Sequence, residues 1–218
     1  MTKGSNLGQI IILNGTPRSG KSSIVKVIQE SFAGPWLNLG VDPFKERIHP
    51  QRYSPSIGLR PGGERPDLEP LIVNLYAAMY ESIAAHSRLG LNVVVDVGHH
   101  DAYSKPRGIL PACARRLAGL PVLFVGVYCP VEVIMERLRQ TGRWNRAWDN
   151  ELSAANPVPE PLLRWQKAVH QPGIYDLEVD TAVLSPEECA SVILEHLIHG
   201  PAPTAFQQLA KMSVSDAE

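Results

Sequence analysis

The sequence predicts an α/β protein in which a parallel sheet is covered by helices on both faces. Short, continuously apolar runs alternate with amphipathic stretches along the whole chain. The apolar runs are rich in Val, Ile and Leu with few polar interruptions, as in strands buried on both faces. Strands separated by helices need crossover connections, and these make the sheet parallel. The 218 residues fit one domain, since domains run to about 100–200 residues.

The first strand is "QIIILNG", residues 9–15, which closes on a glycine. "KSSIVKVIQESF" follows, with Ile24, Val25, Ile28 and Phe32 at helical spacing. "WLNLGVD", from Trp36 to Asp42, reads as a second strand ending in an acid. Residues 43–69 are rich in Pro, Gly and Arg and show no period; long loops in compact domains often serve as lids or binding loops. "LEPLIVNLYAAMYESIAAHSRLG" is a long helix closed by Gly90. "LNVVVDVG", residues 91–98, is a third strand and carries Asp96 near its end. Residues 107–118 read as a helix with Arg115 and Arg116 near its C-terminus. "LPVLFVGVYC", residues 120–129, is the clearest strand. "PVEVIMERLRQTG" is a helix that starts at a proline and ends at Gly142.

Residues 143–161 are irregular and include Pro157, Pro159 and Pro161. "LLRWQKAV" suggests another helix, and the alternation in "YDLEVDT" a fifth strand. "SPEECASVILEHLIHG" has a serine cap, Pro at its first position, Glu in its first turn and a terminal Gly. From Pro201 the chain reads as a tail with at most one short helix. The expected organisation is one domain over residues 1–200, with a lid around 137–163 and a tail over 201–218.

Lys+Arg is 21 and Asp+Glu 22, for a net charge of -1. The absence of a basic excess argues against a nucleic-acid binder. No apolar run approaches the ~18 residues of a membrane span. The polar start "MTKGSNLGQ" and the short run after it read as a first strand, not a signal peptide. Cys113, Cys129 and Cys189 lie far apart with no CxxC spacing, so buried free thiols in a reducing, cytoplasmic setting are expected.

"GTPRSGKS", Gly15 to Ser22, fits G-x-x-x-x-G-K-[ST] and lies between an apolar strand and an amphipathic helix. Gly15 lets the chain turn out of the strand, and Gly20 lets the backbone approach a phosphate oxygen. Thr16, Pro17, Arg18 and Ser19 complete a loop whose N–H groups point inward, and the helix beginning near Lys21, Ser22 and Ser23 adds its positive end. Lys21 is expected at the β- and γ-phosphates, and Ser22 offers a hydroxyl to Mg²⁺. The guanine-reading N-K-x-D segment is missing from the sequence, which favours ATP.

Ligands of parallel α/β sheets sit beyond the carboxyl ends of the strands. Asp42, Asp96 and the phosphate loop all fall there and converge on one site. Asp96 reads as a Mg²⁺-holding acid, or else as an exposed carboxylate at a strand end. Asp42, on a strand expected next to the phosphate loop, reads as the base that orients an attacking hydroxyl. Its other reading is an N-cap for the segment starting at Pro43. In "RLRQTGRWNR", Arg137 falls on the helix, while Arg139, Arg143 and Arg146 crowd a Gly-containing break. Such a cluster spreads the charge of a transferring phosphoryl group, or is a solvated face. His99, His100 and Asp101 read as a wall of the substrate pocket in preference to a metal site, because adjacent histidines rarely point at one ion. Trp144, Trp148 and Trp165 stack on an aromatic ligand or belong to the core.

"IIILNGTPRSGKSSIV", "PWLNLGVDPF", "LNVVVDV", "VLFVGVYCPVEV", "RQTGRWNR" and "GIYDLEVDT", in that order, resemble the chloramphenicol phosphotransferase family from about Gln9 to Gly200. The resemblance implies a nucleoside-monophosphate-kinase-like P-loop fold with a five-stranded parallel core. It implies ATP- and Mg²⁺-dependent phosphorylation of a small-molecule alcohol, chloramphenicol in the type member. The family's catalytic aspartate falls on Asp42, and its lid arginines on Arg139, Arg143 and Arg146. The catalytic set so implied is Asp42, Lys21, Arg143 and Arg146, with Arg139 among the nucleotide contacts. The chain departs from the family where a second acid follows the strand-end Asp; here that place is Val97. Segments 43–69 and 147–163 also read differently, so the reaction type carries over further than the acceptor or a role in antibiotic resistance. Rival readings are a kinase for a nucleoside, sugar or other metabolite, and a nucleotide-binding regulator with no acceptor.

Overall fold

The computed structural model describes residues 7–45, 53, 58–140 and 158–213. Five strands, β1 (Ile10–Asn14), β2 (Trp36–Asn38), β3 (Asn92–Val97), β4 (Val122–Tyr128) and β5 (Leu177–Asp180), pair in parallel in the order β2-β3-β1-β4-β5. Among the described residues the helices are α1 (Lys21–Ser31), α2 (Val41–Lys45), α3 (Glu69–Arg88), α4 (Ile109–Arg116), α5 (Val131–Gln140), α6 (Glu160–Ala168), α7 (Pro186–His199) and α8 (Ala205–Lys211).

The period-two alternation of strand side chains builds two cores. Ile10, Ile12, Val93, Val95, Val97, Val122 and Phe124 face one way, against Tyr76, Met79, Tyr80 and Ile83 of α3, Cys113 of α4 and Phe206 of α8. Ile11, Leu13, Val94, Leu123, Val125 and Val127 face the other way, against Ile24, Val25 and Ile28 of α1 and Cys189 and Ile193 of α7. All five β1 side chains are buried, which explains the unbroken "IIIL" run. A smaller cluster of Cys129, Ile134, Met135, Leu138 and Leu162 joins α5 to α6. The α7 N-terminus forms the expected cap: Glu188 N–H donates to Ser185 Oγ at 3.2 Å, and Ser185 N–H donates to Glu188 Oε2 at 2.8 Å.

Two regions differ from the sequence reading. "WLNLGVD" holds only a three-residue strand, after which the chain turns into α2. The Gly40 N–H donates to Asn38 Oδ1 at 3.0 Å, closing a turn, and Pro43 then sits in the first helical turn, where its missing N–H costs nothing. Asp42 therefore lies in the first turn of a helix, neither at a strand end nor at an N-cap. Nor does β2 adjoin the strand before the phosphate loop, because β3 lies between them. The second difference follows Gly200. α8 packs Ala205, Phe206 and Leu209 into the main core, with the Phe206 ring 5.0 Å from that of Phe124. Residues 205–211 are part of the domain's core rather than an appendage, because their apolar face covers the sheet beside α4.

The proline-rich approach to α3 is tied down by polar contacts. Glu69, whose side chain is fully buried, pairs with Arg107 and accepts from Ser104 N–H at 2.7 Å and Ser104 Oγ at 2.6 Å. Asp101 accepts from the N–H groups of Arg107 and Gly108 at the entrance to α4. Asp101 is therefore engaged structurally.

Candidate active site

The loop between β1 and α1 is shaped by two glycines for two different reasons. A side chain at Gly15 would put Cβ 2.3 Å from the Val127 carbonyl oxygen of β4, so close packing on the neighbouring strand requires glycine there. Gly20 has φ +96°, and a Cβ there would meet its nearest neighbour, Thr181 Cγ2, at an ordinary 3.5 Å, so the left-handed backbone is what requires glycine. Arg18 also has positive φ (70°), and its side chain is exposed. Strained conformations of this kind cluster at ligand-binding loops. Thr16 Oγ1 and Ser19 Oγ are buried without hydrogen-bond partners.

Lys21 points back into this loop. Its Nζ donates to the carbonyls of Gly15 and Thr16, at 2.8 Å each. Burial pulls its pKa down to about 8, against the opposing effects of Asp96 and then Asp42. Both carboxylates thus lie within electrostatic reach of the ammonium. Ser22 Oγ donates to Asp96 Oδ2 at 2.7 Å, while Asp96 Oδ1 is buried without a partner. β3 carries Asp96 in register with Leu13 of β1, immediately beside the loop. Gly40 lies against this carboxylate; a Cβ there would fall 1.9 Å from Asp96 Oδ1. Asp42, two residues on, is exposed.

An unpartnered carboxylate oxygen beside a serine hydroxyl is the hard-oxygen donor set that Mg²⁺ takes. The positive-φ loop with its central ammonium is the anion cradle that phosphates take. The residues present therefore fit both groups.

The other predicted residues separate. Arg143, Arg146, Trp144 and Trp148 lie outside the described residues. Arg139 is exposed on α5 and pairs with Glu136 at 3.5 Å. His99 and His100 are buried (1% and 4% exposed) in aromatic surroundings rather than lining an open pocket. His99 Nε2 meets Tyr80 OH at 2.7 Å and its ring lies against Tyr76, while His100 Nε2 meets the Leu59 carbonyl at 2.8 Å between Tyr103 and Trp165. Burial lowers their pKa values to about 3 and about 4, so both rings are neutral at pH 7. Among the described residues there is no cluster of three or more His, Cys, Asp or Glu that could hold a metal ion. Trp165 is buried against Gly98 and His100, which makes it core.

Sequence reasoning missed the support on the opposite side of the loop. Thr181, just after β5, donates from Oγ1 to the Ser19 carbonyl at 2.7 Å. Arg137 of α5 donates to Thr181 Oγ1 at 3.1 Å, to the Thr181 carbonyl and to Cys129 Sγ at 3.3 Å. The order of strands alone could have found Thr181, since β5 ends beside β4 and β4 beside the loop.

A parallel sheet in this order, with a phosphate loop after its central strand and an acid ending the adjacent one, defines a P-loop kinase fold of the nucleoside-monophosphate-kinase type. The chain belongs to the chloramphenicol phosphotransferase-like family, whose pattern matches residues 8–198. It is 27% identical over 225 residues to "Putative O-phosphotransferase" of Mycobacterium tuberculosis in two strains, covering 95% of this chain and 90% of the relative. Its fold is similar to that of a sugar kinase from Janibacter sp. HTCC2649 (TM-score 0.57, 18% identity, 89% of this chain and 97% of the other). It is also similar to shikimate kinase from Acinetobacter baumannii in complex with shikimate (TM-score 0.54, 14% identity, 89% and 94%). Among the described residues no helix is long and apolar enough to cross a membrane.

Proposed function

We propose that the protein transfers the γ-phosphoryl group of ATP to a hydroxyl of a small molecule, with Mg²⁺, in the cytoplasm. The observation that carries this reading is the Ser22–Asp96 hydrogen bond beneath a phosphate loop whose lysine feels both Asp96 and Asp42. The family and the relatives named as O-phosphotransferases support the reaction class. Mg²⁺, when bound, neutralises charge on the phosphates, with Ser22 and Asp96 as its protein-side holders. Lys21 and the loop over residues 15–23 bind the triphosphate. Asp42 accepts the hydroxyl proton as the new O–P bond forms and the bond to ADP breaks. By resemblance, Arg143 and Arg146 cover the transferring group and Arg139 contacts the nucleotide. Positioning and electrostatics supply the acceleration.

Chloramphenicol, or a related hydroxylated antibiotic, is the first acceptor to try, followed by sugars and nucleosides. The test is mass spectrometry of products formed from ATP and a library of hydroxyl compounds that includes chloramphenicol. The expected result is one acceptor gaining one phosphoryl group per ADP released. Tight ATP binding with no phosphorylated product from any acceptor would move the protein to the regulator class.

A further inference from the structure

The β4 flank of the phosphate loop carries a chain of hydrogen bonds separate from the carboxylate site. It starts at Asn14, the buried last residue of β1. Asn14 Oδ1 accepts the His99 backbone N–H at 2.7 Å, which fixes the amide's orientation. Its Nδ2 then donates to the Val169 carbonyl and to Tyr175 OH, at 2.8 Å each. The Tyr175 hydroxyl, its oxygen accepting from Asn14, lies 2.9 Å from His170 Nδ1, where its own proton is placed to be donated. When Tyr175 donates in this way, Nδ1 is the lone-pair nitrogen of the neutral ring and the proton sits on Nε2.

The ring is also held in place. It lies flat on Tyr128, with centroids 3.9 Å apart and planes 13° off parallel. Tyr128 is anchored beside the loop, because its carbonyl accepts from the Thr181 N–H at 3.0 Å and the Thr181 hydroxyl donates to the Ser19 carbonyl. Burial, then the nearby Lys21 charge, lowers the His170 pKa to about 4, so the ring is neutral at pH 7 and lies in the electrostatic neighbourhood of Lys21. The titratable groups around it are Lys21 of α1, Tyr128 of β4 and Tyr175. Among the described residues Nε2 makes no hydrogen bond, and it is not sealed from solvent.

We propose that His170 is a further phosphate-contacting residue, its Nε2–H preset by the Asn14–Tyr175 chain to donate to a distal phosphate oxygen of the nucleotide held by Lys21. The proposal rests on the nucleotide reading of the same loop. A neutral N–H suits this place better than a second cation, which would repel Lys21. It adds a donor on the flank opposite Asp96, so that the distal phosphates are gripped from both sides.

The test is equilibrium binding of ATP, ADP and AMP to the full chain and to His170→Phe, His170→Gln and Lys21→Ala. His170→Phe keeps a ring on Tyr128 and removes the donor, whereas His170→Gln restores an N–H at similar reach. The expected result is about tenfold or more weakening of ATP and ADP in His170→Phe, as for loss of one hydrogen bond to a charged group. AMP affinity should not change, and His170→Gln should recover most of the loss. Unchanged ATP affinity in His170→Phe, alongside loss in Lys21→Ala, overturns the proposal and leaves the nucleotide reading standing. Equal weakening of AMP also overturns it, because the ring would then be only structural. If the wild-type chain binds no ATP, both readings fall. Should His170→Phe not fold, nitrogen-15 NMR of the wild-type imidazole decides. A proton on Nε2 whose resonance shifts with a non-hydrolysable ATP analogue supports the contact, and one that does not move overturns it.

Discussion

The two flanks of the phosphate loop are built differently. On the β3 side stand two acidic side chains: Asp96, accepting from Ser22, and Asp42 in the first turn of α2. On the β4 and β5 side the contacts run through Thr181, Arg137, Asn14, Tyr175 and His170, and the ring nearest the loop is neutral. The β3 side carries oxygen atoms suited to a cation, while the β4 side braces the loop and, in our proposal, supplies an N–H donor to the nucleotide. Substitutions on the first side should therefore remove chemistry with modest effects on folding. Substitutions on the second should disturb the loop and its nucleotide together.

The largest effects should come from the charged centre. Lys21→Ala should cut kcat/KM about a thousandfold, chiefly through nucleotide use. Asp42→Asn should lower kcat about a hundredfold or more, the range for a lost general base, while nucleotide affinity stays nearly unchanged. Steady-state kinetics together with direct ATP titration separate the two, and an unchanged kcat in Asp42→Asn would remove the base assignment.

Gly40→Ala should come next. Its new methyl would land on Asp96 Oδ1 and push the carboxylate away from Ser22. Displacement of this size costs about a hundredfold in rate, and kinetics across a Mg²⁺ titration should show a raised metal requirement. Normal Mg²⁺ dependence in this variant would mean that Asp96 does not hold the ion.

On the opposite flank, Thr181→Val conserves volume but strips the hydroxyl from the Ser19 carbonyl and from Arg137. Unsatisfied groups of this kind cost about 1–3 kcal/mol. Thermal unfolding should fall by several degrees, and ATP affinity should fall with it. Stability equal to wild type would show that the loop does not depend on this support.

The smallest effects follow pH. Lys21 has its pKa lowered to about 8, so ATP affinity should be flat below pH 8 and weaken as pH rises through it. His99 and His100 titrate in the opposite sense for folding. Their folded values, about 3 and about 4, lie below the ordinary 6.5. The unfolded chain therefore takes up protons first as pH falls. Stability is full above pH 6.5 and declines as pH drops toward 4, which chemical denaturation at pH 7 and pH 5 should detect. Equal midpoints at the two values would contradict the burial of these rings.

Much of the β3 flank was legible in the chain itself. A glycine-framed loop between an apolar run and an amphipathic helix has few alternative uses, and Asp96 ends a β-branched run whose burial is unambiguous. Asp42 was legible as a residue but not as a place, because the turn closed by Asn38 and Gly40 converts the expected strand end into a helix start. The histidine pair was misplaced for a related reason. Following a strand end suggests a pocket, yet Tyr76, Tyr80, Tyr103 and Trp165 come from distant segments to enclose both rings. Thr181 and His170 gave no local signal of their own, since Thr181 meets Ser19 162 residues away and His170 joins a chain whose Asn14–Tyr175 bond spans 161 residues.

Local chemistry alone determined the alternation of strands and helices, the phosphate loop and the identity of its lysine and serine, because each depends on residues within a turn or two of one another. The tertiary structure alone decided that β3 separates β2 from β1, that α8 belongs to the core, and that Asn14, Tyr175 and His170 share one chain of hydrogen bonds. Those outcomes depend on which buried surfaces and polar groups meet across the sheet, and that choice is made only when the whole core closes at once.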